Sequence, residues 1–171
     1  EKANIEIRAR KTGEGMRESV VSAKQLLTDS IGAVIGLKSV TRCYGADVGK
    51  DVSIAELEGD GARVILAQQG CAFDIWLDRT NIPNHSSHNI HLLAKTLGFE
   101  AFDCSMLTIM DTGSDKLLLM AQRAKEILAG ASIEVLGTNL ADNRVSVLVA
   151  TDSMDSATTL LHRRFVEKVE P

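Results

Sequence analysis

The side chains that could do chemistry are few and poorly grouped. His85, His88 and His91 recur at every third position, a spacing that could gather imidazole nitrogens beside one metal ion at a helix start. No cysteine pair or acidic partner lies nearby in sequence, so the three read as a polar loop and helix start. His162 sits between apolar helix positions and reads as a partly exposed packing residue. Cys43, Cys71 and Cys104 are odd in number and lack CxxC spacing, which suits free thiols in a reducing compartment, each a small buried hydrophobe. A nucleophilic serine has no G-x-S-x-G setting. Gly13-Glu14-Gly15 and Gly59-Asp60-Gly61 are too short for a phosphate loop and lack its lysine. Trp76 stands in an alternating segment and reads as a packing or interface aromatic. The expectation is a non-catalytic chain with no metal site and no cofactor.

The totals agree with that reading. The 171 residues suit one compact domain or two small ones sharing a core. Hydrophobic residues make up 44% and charged residues 25%, an ordinary globular balance. A net charge of −4, with both signs mixed along the chain, gives no long-range attraction to nucleic acid or to an anionic membrane. No apolar run approaches the roughly 20 residues that cross a bilayer. A cytoplasmic protein is expected, and the start at Glu1 suggests an excised fragment.

An internal repeat positions whatever site there is. In the later half, Ser105 to Met110 reads as a strand, and Ser114 caps a helix carrying Leu117, Met120, Ala121, Ala124 and Leu128 before Gly130 stops it. Ile133 to Leu136 reads as a short strand, Asn139 to Asn143 as a turn, and Val145, Val147 and Val149 alternate as in a strand. Asp152 or Ser153 opens a last helix with Ala157, Leu160, Leu161 and Phe165 on one face. In the earlier half, Ser39 to Tyr44 reads as a strand, Gly45 to Gly49 as a loop, and Lys50 to Glu58 as a short helix with Ile54 and Leu57 inward. Arg63 to Ala67 follows as a strand, Gln68-Gln69-Gly70 as a turn, and Phe73, Ile75 and Leu77 as an alternating strand. Ser86 or Ser87 then caps a helix with Ile90, Leu93, Ala94 and Leu97, ended by Gly98, and Phe99 to Asp103 is a final strand.

The order is β-α-β-β-α twice, the copies roughly 65 residues apart. The fold class is α+β: two ferredoxin-like βαββαβ units in tandem, each an antiparallel sheet with helices on one face. The second copy lacks its last strand, and the apolar segment Ala33 to Leu37 is expected to fill that edge, interlocking the units. The divisions are 1–31 as a preceding segment, 32–104 as the first unit and 105–171 as the second. In the preceding segment Ile5 and Ile7 suggest a strand, and Val20, Ala23, Leu27 and Ile31 a helix.

At this point the residues resemble a known family. Tandem βαββαβ units, the first leading straight into the second, resemble the paired ACT domains at the C-terminal end of aspartate kinases. Ala3-Asn4-Ile5-Glu6-Ile7-Arg8, with Gly15 and Ser19-Val20-Val21-Ser22, resembles the end of that kinase's catalytic domain. Gln68-Gln69-Gly70-Cys71-Ala72-Phe73-Asp74-Ile75 resembles the family's hairpin between second and third strands, and Leu160-Leu161-His162-Arg163-Arg164-Phe165 resembles the close of its last helix. Asp47-Val48-Gly49 keeps the acid and glycine of the family's strand–helix loop without its proline. The kinase's catalytic lysine and glycine motifs are absent from this chain.

The resemblance implies an allosteric regulatory region of an aspartate kinase, a phosphotransferase acting on a carboxyl group. It would bind an end-product amino acid, lysine or threonine, and pair as a homodimer through its ACT units. A stand-alone ACT-type binding and dimerisation module of another enzyme or regulator is the alternative. An amino-acid effector brings a carboxylate, which the backbone N–H groups of a helix start can hold at Val48, Gly49, Lys50 and Asp51. It also brings an ammonium, which needs acceptors such as Asp47 and the hairpin backbone at Gln68 and Gln69.

Overall fold

The computed structural model describes residues 6–10, 18–22, 31–46, 58, 61–69, 72–111, 116–141 and 143–167. Eight strands and three helices lie among them: β1 (Glu6–Arg10), β2 (Glu18–Ser22), β3 (Ile31–Ala46), β4 (Arg63–Gln69), β5 (Ala72–Asp78), α1 (His88–Leu97), β6 (Glu100–Asp111), α2 (Leu117–Gly130), β7 (Gly137–Ala141), β8 (Arg144–Val149) and α3 (Met154–Phe165). β1 and β2 pair with each other, so Val20 belongs to a strand and not to the expected helix. The other strands form one antiparallel six-stranded sheet in the order β4-β5-β3-β6-β8-β7. The class is α+β.

The sheet is organised by two long strands at its centre. β3 runs for 16 residues and β6 for 12. Val40–Tyr44 of β3 pairs with the first part of β6, Glu100–Cys104, while Ala33–Leu37 pairs with its second part, Met106–Met110. The segment expected to fill the edge beside Ser105–Met110 therefore does so, and it is continuous with the strand that follows. Flanking hairpins, β4-β5 on one side and β7-β8 on the other, complete the order.

An extra residue in β3 keeps its side chains in phase. Leu37 lies opposite Met106 but Val40 lies opposite Cys104, so three steps on β3 meet two on β6. Without that bulge every apolar residue beyond it would point to the wrong face. The carbonyls freed there are satisfied: Ser105 Oγ donates to Lys38 O at 3.0 Å, and the Arg79 amide donates to Ser39 O at 2.8 Å.

One face of the sheet carries the helices. Cys43, Phe73, Ile75 and Leu77 pack with Ile90 and Ala94 of α1 and with Phe99. Leu107, Ile109, Val145, Val147 and Val149 pack with Met120, Ala124 and Leu128 of α2 and Ala157, Leu161 and Phe165 of α3. Strand period 2 places Ala101, Leu107 and Ile109 on one face of β6, so all three helices share it. The opposite face is also buried, by Val40, Trp76, Cys104 and Leu148, with Phe102 and Met106 against them.

That second face is covered because the sheet curls upon itself. β4 and β7 are the two edges, yet Gln68 Nε2 of β4 lies 3.5 Å from Asn139 Oδ1 of β7. Trp76, fully buried, reaches the backbone of Gly137: a β-carbon there would stand 3.1 Å from its Cζ2 atom and 3.3 Å from Leu148 Cδ1. Gly137 thus permits the close approach that closes the concave face.

Several boundaries differ from the sequence reading. Gln68 and Gln69 are the end of β4, paired with Asp74 and Phe73, not a turn. Gly45 lies in β3. The apolar run Ile133–Leu136 precedes a strand and does not form one: Ile133 sinks into the core beside α2, and Gly137–Ala141 is what pairs with β8. The chain leaves α2 through Ser132, which adopts the left-handed conformation at φ 58°, whereas Gly130 is helical. Ser87 stands at the N-cap position of α1 with its hydroxyl turned elsewhere, and Ser86 Oγ accepts the His88 amide at 3.3 Å. Of the expected helix over 50–58 only Glu58 is described, in a turn where its carbonyl accepts from the Gly61 amide at 2.9 Å; the cap at Ser114, and Ile5, Ala23, Leu27 and Cys71 lie outside the described residues.

Candidate functional site

Of the residues expected to hold an effector, Gln68 and Gln69 are described, and they end β4. Ala46, at the end of β3, is opposite Ala72. One step back, Gly45 is opposite Phe73, which is opposite Gln69; Tyr44 is opposite Asp74, which is opposite Gln68. Gln68 and Gln69 therefore stand on the sheet end from which the chain continues into Asp47. Asp47, Val48, Gly49, Lys50 and Asp51 lie outside the described residues.

This end is rich in aromatic rings. Phe73 and Phe99 meet edge to face with centroids 5.6 Å apart. Gly45 is required beside them, since a β-carbon would come within 2.6 Å of Phe99 Cδ1. Tyr44 is exposed, with the Arg42 guanidinium 4.9 Å from its ring centroid and 5.7 Å from that of Phe102.

Arg42 also ties the curled sheet together. Its Nε and Nη2 donate to Asp74 Oδ1 and Oδ2, each at 2.7 Å, in the bidentate geometry that suits a guanidinium. Nη1 donates to the Leu136 carbonyl, one residue before β7. The indole Nε1 of Trp76 donates to Asp74 Oδ1 at 2.9 Å, so the buried ring keeps its polar atom satisfied. Sequence reasoning did not single out Arg42 or Asp74. The available signal was an aspartate two positions from a tryptophan on the same face of one strand.

A second polar cluster lies beside α1. Asp103 of β6 accepts from Thr41 Oγ1 at 2.8 Å and Ser87 Oγ at 2.6 Å, and meets His91 Nε2 at 3.1 Å and Arg79 Nη2 at 3.4 Å. Burial alone would raise the carboxyl's pKa; the hydrogen bonds from Ser87, Thr41 and His91, with the Arg79 charge, outweigh it and hold the group below its ordinary range. Arg79 is buried, donates also to the carbonyls of His85 and Val40, and leaves its Nε without a partner.

The three histidines diverge. His91 meets Asp103, His85 Nδ1 lies 3.3 Å from the Arg79 carbonyl, and His88 is exposed at the first turn of α1. Among the described residues no three His, Cys, Asp or Glu side chains are grouped as metal ligands. Cys43 and Cys104 are buried free thiols. Burial, then the nearby Asp103 charge, pushes each thiol up to about 12, which leaves both unreactive at neutral pH. His162 is exposed on α3 and lies 3.3 Å from Glu167. No described helix is long and apolar enough to cross a membrane.

No family model matches the chain, and no curated protein sequence is similar to it. Solved structures are. The aspartate kinase of Clostridium acetobutylicum, described as an allosteric enzyme, superposes with a TM-score of 0.65 at 14% identity, over 90% of this chain and 39% of that one. The regulatory subunit of aspartate kinase from Thermus flavus gives a TM-score of 0.58 at 13% identity, over 80% of this chain and 99% of that one. E. coli aspartokinase III in complex with lysine and aspartate gives 0.59 at 13% identity, over 86% of this chain and 36% of that one. The chain has the fold found in regulatory parts of aspartate kinases. It spans little more than a third of the whole kinase chains and nearly all of the separate regulatory subunit.

Proposed function

We propose that this chain is the allosteric regulatory region of an aspartate kinase, composed of two interlocked ACT units. The observation that carries the reading is the exchange of halves between β3 and β6. Each strand serves both hairpins, which gives β4-β5-β3-β6 on one side and β7-β8-β6-β3 on the other. In this reading the single six-stranded sheet is two overlapping four-stranded sets that share β3 and β6. The likeness to the Thermus flavus regulatory subunit over 99% of its length supports the same reading.

In this reading an end-product amino acid, lysine or threonine, binds at the sheet end beside Gln68 and Gln69. Its carboxylate rests on the backbone of Val48, Gly49, Lys50 and Asp51, and its ammonium faces Asp47. The region works in the cytoplasm as a homodimer and needs no cofactor or metal. Effector binding favours one arrangement of the paired units and biases the attached kinase, a coupling typically worth about 1–3 kcal/mol. The effector acts only by binding the two arrangements unequally.

Isothermal titration with lysine and threonine, with sedimentation to fix the subunit number, tests the proposal. We expect one of the two to bind a dimer, and Asp47→Asn to weaken it by about tenfold through loss of one charged hydrogen bond. A monomer that binds neither would remove the sensor reading.

A further inference from the structure

An open groove of about 670 Å³ lies between the end of α2 and the edge strand β7. We propose that it is a separate binding site for a small zwitterion, a free amino acid with an apolar side chain. The walls supply each element of such a ligand. Lys125 and Glu134 bring opposite charges to the same space, and neither is paired with an opposite charge among the described residues. Glu134 and the negative end of the α2 dipole suit an ammonium; Lys125, with the hydroxyls of Ser132 and Thr138, suits a carboxylate. Ile133 and Val135 form an apolar wall, Ile133 being anchored in the core. The volume falls within the usual range for small-molecule sites, roughly 300–1,000 Å³.

The wall is shaped by the way α2 ends. Ser132 sits at φ 58°, the left-handed conformation that commonly closes a helix. Its amide donates to Ala129 O and that of Ile133 donates to Leu128 O, both at 2.9 Å, which fixes the turn. Residues 133–136 lie between that turn and β7, and Ile133, Glu134 and Val135 line the groove. This is the segment whose apolar character suggested a strand.

The site is independent of the one proposed around Asp47–Asp51, and its test separates the two. The ¹⁵N-labelled chain is titrated with leucine, with isoamylamine, which lacks the carboxylate, and with 4-methylpentanoate, which lacks the ammonium. We expect the amides of residues 132–138 to shift with leucine, and each half-molecule to bind at least about tenfold more weakly. Lys125→Ala should abolish the preference for leucine over isoamylamine, and Glu134→Gln the preference over 4-methylpentanoate. Both residues are exposed, so the variants should keep the wild-type amide spectrum and the response to lysine or threonine at the other site. Unmoved 132–138 amides at millimolar leucine, or equal binding of the three probes, would overturn the proposal. Loss of the lysine or threonine response alone would count against the Asp47–Asp51 site and leave this one standing.

Discussion

The two halves of the sheet are held by different forces. Beneath α2 and α3 the covered surface is aliphatic, built from Leu107, Ile109, Val145, Val147, Val149, Leu128 and Leu161. Its buried polar pair, Thr108 and Ser146, faces away from the helices and is satisfied by one hydroxyl contact of 3.0 Å. Around α1 the corresponding region admits Thr41, Asp78, Arg79 and Asp103, and the concave face adds Arg42 and Asp74. The half beneath α2 and α3 owes its stability to burial, which ordinary changes of pH barely alter. The half around α1 depends on charges and hydrogen bonds, which ligands and protons can alter. The regulatory role proposed above would use both: a firm support, and a responsive part joined to it.

Trp76 is the joint, and its removal should have the largest effect. Trp76→Ala should cost about 3–5 kcal/mol in chemical denaturation, because a fully buried indole leaves a cavity that Gly137 cannot fill. In the aliphatic half, Leu161→Ala should cost about 2–5 kcal/mol and leave the pH dependence of stability as in the wild type. A changed pH dependence in that variant would dissolve the distinction between the halves.

Smaller effects sharpen it. Asp74→Ala should cost roughly 2–3 kcal/mol, since it strands the half-buried Arg42 guanidinium and the Trp76 N–H together. Asp103→Asn should cost about 1–2 kcal/mol and reduce the acid sensitivity. The direction follows from the depressed carboxyl: the unfolded chain takes up the proton first, near its ordinary pKa of about 3.9, so stability from Asp103 is present above that pH and lost as pH falls through the lower folded value. For Cys43 and Cys104 the sign reverses. Unfolded thiols ionise near about 8.5 and folded ones near about 12, so stability should decline as pH rises across that window, and neither thiol should react with a thiol reagent before unfolding. Thermal unfolding across pH and timed alkylation measure these effects.

The helices and the alternating strands were legible because their periods of 3.6 and 2 are set by burial of one face. α1, with Ile90 and Ala94 inward, and β8, with its three valines, are plain in the sequence. The start of β7 was not, because Ile133–Leu136 is apolar for contact with α2 while Gly137–Ala141 pairs through backbone hydrogen bonds that composition does not reveal. The end of β4 was missed for the same reason: Gln68-Gln69-Gly70 has turn chemistry, yet the ladder to Asp74 and Phe73 continues through both glutamines. Curling of the sheet was invisible too. Nothing in sequence spacing links Arg42 to Leu136, 94 positions away, although that bond helps hold the sheet ends together.

The most direct test of the regulatory reading is a thermal-unfolding screen of the chain against lysine, threonine, methionine and other free amino acids. A ligand that binds only the folded state at 100 times its Kd adds about 2.7 kcal/mol. For a chain of 171 residues that should raise the Tm by several degrees. A selective rise with lysine or threonine, abolished by substitution at Asp47 or Gly49, is the expected result. An unchanged Tm with every amino acid at millimolar concentration, in a sample shown to be dimeric, would contradict it.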